Sequence, residues 1–449
     1  MGTSQHRKMA LNLFIYPQGH HEAAWRHPLS QPERIYSADY YQQLARAAED
    51  AAFDAVFFAD SPSLNPSIEF NAAGRLDPIV VLTAIAAATS RIGLIATAST
   101  TYNEPYNLAR AFASVDHLSG GRVGWNIVTT SADGAGPNFG VTHPDPTTRY
   151  ERAREFTDIV VALWDSWEDD AILLDRQGGA YADADRIHRI DAVGTHFAVR
   201  GPLNVPRTPQ GRPVLVQAGA SNAGRAFAAE YAEVIFAAQQ TLTDGQRFYH
   251  AVKSAVIDAG RDPEHVKILP GISPFIGSTD REARALEREF NELTVPAYGL
   301  KQLASIAGAD LSGLDLDERV SPALFADGGA VTDNDRSRRQ VVAALVERHR
   351  PTVRELLHRL AAGRGHRVVA GSPERIADEL AEWFTEGAAD GFNVMPPYFP
   401  GGLTAFTEHV VPILRRRGLF RDGYAGSTLR EHLGLPVPSN GFAVAAGKA

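Results

Sequence analysis

The chain contains no cysteine. That excludes disulfides, thiolate metal sites, iron–sulfur clusters and a cysteine nucleophile. No apolar run is long enough to span a bilayer. The opening residues, MGTSQHRKMALNLF, lack the long apolar core of a secretory signal. The reading is a cytoplasmic protein with no membrane partner. Positive charge is also short: 44 Lys and Arg face 53 Asp and Glu, a formal net charge of -9. Nucleic-acid binders are more often basic, so that partner is set aside. Metal-type spacing is missing as well. Neither His20-His21-Glu22 nor the group His188, Asp191 and His196 follows the helical His-Glu-x-x-His pattern, so no metal is expected. No Gly-x-Gly-x-x-Gly follows the first apolar run, which argues against an open dinucleotide-binding sheet.

What the chain does have is alternation. Eight short apolar runs are each followed by a segment with helical spacing: Leu11–Tyr16, Ala55–Ala59, Ile92–Ala98, Arg122–Val128, Val214–Gln217, Ala232–Ala238, Val266–Ile276 and Gly391–Pro396. Continuous apolar strands are buried on both faces, which means a parallel sheet. Eight such units predict an α/β protein, a closed (β/α)8 TIM barrel, with an open doubly wound sheet as the alternative. The 449 residues, 44% hydrophobic and 22% charged, suit one soluble domain spanning 1–449. An irregular insertion is expected near 165–213 and a second insertion, of mixed helix and loop, near 297–363. A Gly- and Pro-rich tail, 419–449, is expected on the surface or on a partner subunit. The second insertion is the natural lid.

A barrel enzyme works at the carboxyl ends of its strands. Those ends supply His20 and His21, Asp60, Ser99 and Thr101, Asn126 with Thr129, Ser221, Gln239 and the Pro396-Pro397-Tyr398 turn. The stretch Val214–Ala229, VLVQAGASNAGRAFAA, reads as strand, tight turn and helix, with Gly219 in the turn and Ser221 as N-cap. Small residues leave first-turn amides facing one spot, and such a spot binds phosphate. The plainer reading is an ordinary capped helix. Asp60 has no acidic partner at the other strand ends, which excludes a glycosidase pair. No Lys ends a strand to hold pyridoxal phosphate. Arg149-Tyr150 opens a helix and offers further phosphate contacts. A site of neutral donors beside a phosphate turn suits a phosphorylated organic cofactor, and flavin mononucleotide fits best.

Several segments carry a specific resemblance: AWRHP (24–28), ATASTTYNEPYNLAR (96–110), LSGGRVGWNIVTT (118–130), RYERAREF (149–156), RGPLNVPRTPQGRPVLVQAGAS (200–221), GAADGF (387–392) and GSTLREHLGL (426–435). The chain resembles the bacterial-luciferase-like flavin-dependent monooxygenases, in the class of nitrilotriacetate and dibenzothiophene-sulfone monooxygenases. The resemblance implies a barrel that takes reduced FMN from a separate NAD(P)H-dependent flavin reductase. With O2 as co-substrate, it would form a C4a-hydroperoxyflavin that oxidises a small organic substrate. It implies Asp60, Ser99 or Thr101, and Asn126 as flavin-ring contacts, and Tyr150, Gly219 and Ser221 as phosphate contacts. His20 would stand on the substrate side, with His20 and Asn126 as the catalytic pair. It also implies a homodimer or homotetramer. One departure stands out: relatives carry His-Asp-x-Arg-Tyr before this helix, whereas here Pro146 takes the place of the His, and His143 is the candidate substitute. Two other functions fit the same family: a deazaflavin-dependent hydride-transfer oxidoreductase, and a non-catalytic flavin-binding barrel subunit.

Overall fold

The computed structural model describes residues 7–446 except 73–74, 132, 220, 312 and 326–332. Eight parallel strands close on themselves: β1 (Ala10–Phe14), β2 (Ala55–Phe58), β3 (Gly93–Ser99), β4 (Val123–Val128), β5 (Val214–Gln217), β6 (Val234–Ala237), β7 (Lys267–Ile276) and β8 (Gly391–Val394). Each pairs with its neighbours in chain order, and β8 returns to β1. The expected TIM barrel is therefore present, and all eight apolar runs are its strands. Alternation sorts their residues. Trp125 and Ile127 of β4 point outward into the helix layer, where Trp125 meets Phe112, Phe156 and Trp164. Ile95, Val214, Val216 and Phe236 point inward.

The outer layer begins with α1 (Ala38–Asp50), α2 (Pro78–Ala86), α3 (Pro105–Ser119), α4 (Pro146–Asp165), α5 (Asn222–Tyr231) and α6 (Leu242–Asp258). Their starts are chemically marked. Asp77, Asp145, Ser221 and Thr241 cap α2, α4, α5 and α6 with side-chain oxygens. Proline stands at the first helical position of α2, α3 and α4, where its missing N–H costs nothing.

The first insertion holds more order than its sequence suggests, and the second is the expected mixture of helix and loop. Within 165–213 there are two small hairpins, Ile172–Asp175 with Ala180–Ala182 and Ala192–Val193 with Ala198–Val199. The Glu155 carboxylate on α4 fixes the second by accepting the amides of Thr195, His196 and Phe197 at 2.7–3.1 Å. After β7 come α7 (Asp280–Glu292), α8 (Pro296–Ala307), α9 (Asp333–His349) and α10 (Val353–Gly363). Leu303, Val342, Val346 and Leu356 give this excursion its own apolar cluster. It ends in a strand missed by the sequence reading, Arg367–Gly371, which pairs with Ile272–Ile276 of β7. Helix α11 (Pro373–Thr385) then leads into β8.

The tail departs from expectation. It packs under the barrel rather than on the outer surface. Its helix, Leu429–Leu433, places Leu429 and Leu433 in the apolar cluster that fills the barrel interior. Gly93, at the entry to β3, makes room: a Cβ there would lie 2.4 Å from Leu429 Cδ1. Arg430, 1% exposed, forms a bidentate pair with Glu233 at 2.6 and 3.0 Å. Among the described residues no helix is long and apolar enough to cross a membrane.

Candidate active site

At the carboxyl end of the barrel, the turn after β5 is built by close approach. Gly219 N donates to Gln217 Oε1 at 2.8 Å, and a Cβ on Gly219 would sit 2.2 Å from Gln217 Nε2 and 3.3 Å from Gly224 Cα. Ser221 caps α5 by accepting from Gly224 N at 3.1 Å. Tyr150, the fifth residue of α4, brings its hydroxyl 3.5 Å from Ser221 Oγ, and a Cβ on Gly224 would press within 3.0 Å of that hydroxyl. Two hydroxyls and the unpaired first-turn amides of α5 thus converge on one small cradle. Ala220 of the same turn lies outside the described residues. Arg149, read as a further phosphate donor, instead gives Nη1 to the Thr130 carbonyl at 2.7 Å.

The ends of β3 and β4 are braced against each other. Ser99 Oγ accepts from the amides of Thr101 (3.1 Å) and Tyr102 (3.3 Å) and from Thr130 Oγ1 (2.7 Å). Thr101 Oγ1 donates to the Thr129 carbonyl at 2.8 Å. Both hydroxyls are spent on the turn. Thr130 sits at φ +46°, a strained conformation for a β-branched residue, held by the Ser99 and Arg149 contacts. Asn126 lies two residues inside β4, 2% exposed, its Nδ2 on Thr97 Oγ1 at 2.7 Å and its Oδ1 without a partner. It belongs to the barrel interior more than to the rim. Pro146 opens α4 behind the Asp145 cap, and His143 Nδ1 bonds the Tyr102 hydroxyl at 2.6 Å.

Across the mouth, Phe14, Phe57 and Phe236 meet edge to face with centroids 4.8–5.5 Å apart and form an aromatic floor. His20 packs on Phe14 at 4.5 Å, and its Nε2 lies 2.9 Å from the Phe14 carbonyl. A carbonyl only accepts, so Nε2 carries the proton and Nδ1, which has no partner, is the acceptor. Burial, reinforced by the Arg364 charge, holds His20 well below the usual imidazole range and neutral. His21 turns the other way, with Nδ1 accepting Ala23 N at 3.1 Å and Nε2 on Asn291 Oδ1 at 3.2 Å. The adjacent-His ambiguity resolves: His20 faces the barrel. Asp60, half-buried at the end of β2, has its carboxyl raised by burial.

Three side chains absent from the strand-end list surround His20. The Tyr16 hydroxyl takes a hydrogen bond from Arg75 Nη2 at 3.0 Å, and Arg364 lies over the Tyr16 ring at 3.7 Å. Burial would raise the Tyr16 phenol, but Arg364 and then Arg75 outweigh it and bring it down to about 7. The sequence signal was weak, since Arg75 comes from the loop after β2 and Arg364 from the turn that ends α10. A cavity of about 490 Å³, lined by Asp165, Arg212, Glu233 and Arg261, lies away from this mouth. Among the described residues no group of three His, Asp or Glu is placed to hold a metal.

The sequence profile of the luciferase-like monooxygenases matches residues 18–390. The chain belongs to that family. N-acetyl-S-(2-succino)cysteine monooxygenase of Bacillus subtilis is 45% identical over 98% of this chain and 100% of its own. Nitrilotriacetate monooxygenase component A of Aminobacter aminovorans is 43% identical over 97% and 98%. The crystal structure of a riboflavin lyase with modified FMN and riboflavin superposes with a TM-score of 0.84 at 34% identity, covering 96% and 97% of the two chains. The motifs that carry the likeness of this luciferase-like chain fall into two sets. QAGAS and RYERAREF build the cradle. LSGGRV, PQGRP and GSTLREHLGL meet at the other end of the barrel, where Gln210 Nε2 donates to Asp116 Oδ1 and the Val123 carbonyl, both at 2.8 Å, and Leu429 N donates to the Gly121 carbonyl at 3.0 Å.

Proposed function

We propose that this luciferase-like monooxygenase works with reduced FMN, supplied by a separate NAD(P)H-dependent flavin reductase, and with O2, to oxidise a small organic substrate. The observation that carries the reading is the cradle of Tyr150, Gly219 and Ser221, which only glycine at 219 and 224 leaves open. Its donors suit a phosphate monoester, and Asp60 suits the N–H edge of a flavin ring lying toward the aromatic floor. When bound, reduced flavin supplies the electrons that activate oxygen. The chain's own residues do the rest. Ser99 and Thr101 lock the β3 and β4 ends so that the rim keeps its shape. Asn126 presents an unpaired carbonyl oxygen from the barrel interior. Neutral His20 offers Nδ1 as a fixed acceptor for a substrate proton. The floor and the excursion after β7 exclude water. One relative is a component A, which supports a separate reductase, and its substrate and that of the Bacillus enzyme are small organic acids.

Anaerobic titration with reduced FMN tests this. Tight binding, weakened in Tyr150→Phe and Ser221→Ala, followed by O2 uptake on mixing with oxygenated buffer, is the expected result. Binding of a deazaflavin in place of FMN, with hydride transfer and no O2 uptake, refutes it. Flavin binding without product under any substrate and reductase points to a non-catalytic subunit.

A further inference from the structure

We propose that Arg75 and Arg364 form a carboxylate-binding subsite that selects anionic substrates, ideally dicarboxylates. The proposal rests on the flavin reading above and names the substrate class of that site. The two guanidiniums converge on one phenol: Arg75 Nη2 is 3.0 Å from the Tyr16 hydroxyl with its Cζ 4.8 Å from the ring centroid, and Arg364 Cζ is 3.7 Å from the same centroid. Among the described residues neither forms an ion pair with a carboxylate, although Asp and Glu outnumber Lys and Arg and most other part-buried arginines do pair. The Tyr16 phenol is the acid felt most by Arg364; Glu22 is the one carboxyl that acts on it, and burial raises that carboxyl to about 7, so it is no permanent counter-charge. The Tyr16 phenol can supply at most one negative charge between two guanidiniums, so the cluster keeps a net positive charge, which is costly to hold out of water. A bound carboxylate removes that cost, and guanidinium is the group that grips a carboxylate through paired N–H donors.

Position assigns the anion to substrate rather than to flavin. Tyr16 lies two residues beyond β1, and the phosphate cradle lies beyond β5, four strands around the closed ring. A flavin anchored at β5 and reaching Asp60 at β2 leaves the β1–β8 side, with His20 and the two arginines, to the other reactant. Arg364 belongs to the excursion after β7, so the chain segment that differs most from a plain barrel supplies the anion contact. The strand ends themselves carry no Lys or Arg, so these two loop-borne cations supply the positive charge on this side of the mouth.

The test uses the full chain and two probes, thiodiacetate and its uncharged dimethyl ester. Reduced FMN is titrated first under anaerobic conditions, and each probe is then followed by calorimetry on the flavin-loaded protein. The diacid is expected to bind about 10-fold or more tighter than the ester, the size of one charged hydrogen bond or more. Arg75→Gln and Arg364→Asn, the latter chosen because Asn tolerates the positive φ of +51°, should each remove that preference while leaving the FMN affinity within about 2-fold. Equal binding of diacid and ester, or binding of neither, overturns the proposal. So does loss of FMN affinity in the arginine variants, which would place the cations on the flavin. If wild-type protein fails to bind FMN, the flavin reading falls, and the same probe titration on the protein alone still decides the subsite. Either arginine variant suffices if the other does not fold.

Discussion

The two ends of the barrel are built by opposite rules. At the amino end the tail closes the interior and its buried charges are paired. Arg430 meets Glu233, Arg421 meets the buried Asp54, and the His432 ring nitrogen lies 2.7 Å from the Arg91 carbonyl. At the carboxyl end polar groups are left open. His20 Nδ1 and Asn126 Oδ1 have no partner, Thr130 is strained, and two arginines share a phenol. The buried charge pairs and the apolar plug are gathered at one end, and the unpartnered His20 and Asn126 atoms and the strained Thr130 stand toward the other.

The comparison can be broken from its stable end first. Arg430→Ala strands Glu233 in the interior and should cost about 3–5 kcal/mol of unfolding free energy, read by denaturant titration. Leu429→Ala empties part of the plug and should cost about 2–5 kcal/mol, with flavin affinity unchanged in whatever fraction stays folded. Ser221→Ala removes a cap worth about 1 kcal/mol, and reduced-FMN binding should suffer more than stability does. A Ser221→Ala protein with unaltered FMN affinity would show the cradle to be only a cap. The last effect appears only as pH is varied, and it belongs to Tyr16. Its phenol titrates near 7 in the fold against about 10 in the unfolded chain, so the folded state releases that proton first and stability should rise as pH climbs from about 7 to about 10. Phenolate absorbance should show one tyrosine ionising near neutrality. Tyr16→Phe should abolish that transition, and Arg364→Asn should move it up.

The barrel was legible because a strand buried on both faces must be apolar throughout, and runs such as LNLF, AVFF and VLVQ have no other easy home. The cradle was legible because Ser221 and the glycines around it are local in sequence. The Arg367–Gly371 strand was not: RVVAG is short, half-exposed and set among helices, and only the long β7 gives it a partner. The tail plug was missed because LREHL looks like a surface helix until Arg430 is matched with Glu233, 197 residues away. Arg75 and Arg364 escaped for the same reason, since loop side chains reach the mouth through space. Ser99 stands at the end of β3 and Thr101 just beyond it, and there their hydroxyls bond within the turn, which sequence position alone does not show.

The upper half of β7 has one more consequence. Five successive rungs, Ile272 to Ile276 against Arg367 to Gly371, stitch the end of the long excursion into the barrel's own sheet. The excursion is therefore a cassette with a rigid seam. Exchanging it between relatives along that seam would transplant the Arg364 side of the mouth as a unit and leave the β5 cradle untouched, which makes β7 the natural splice line for redirecting the enzyme to new substrates.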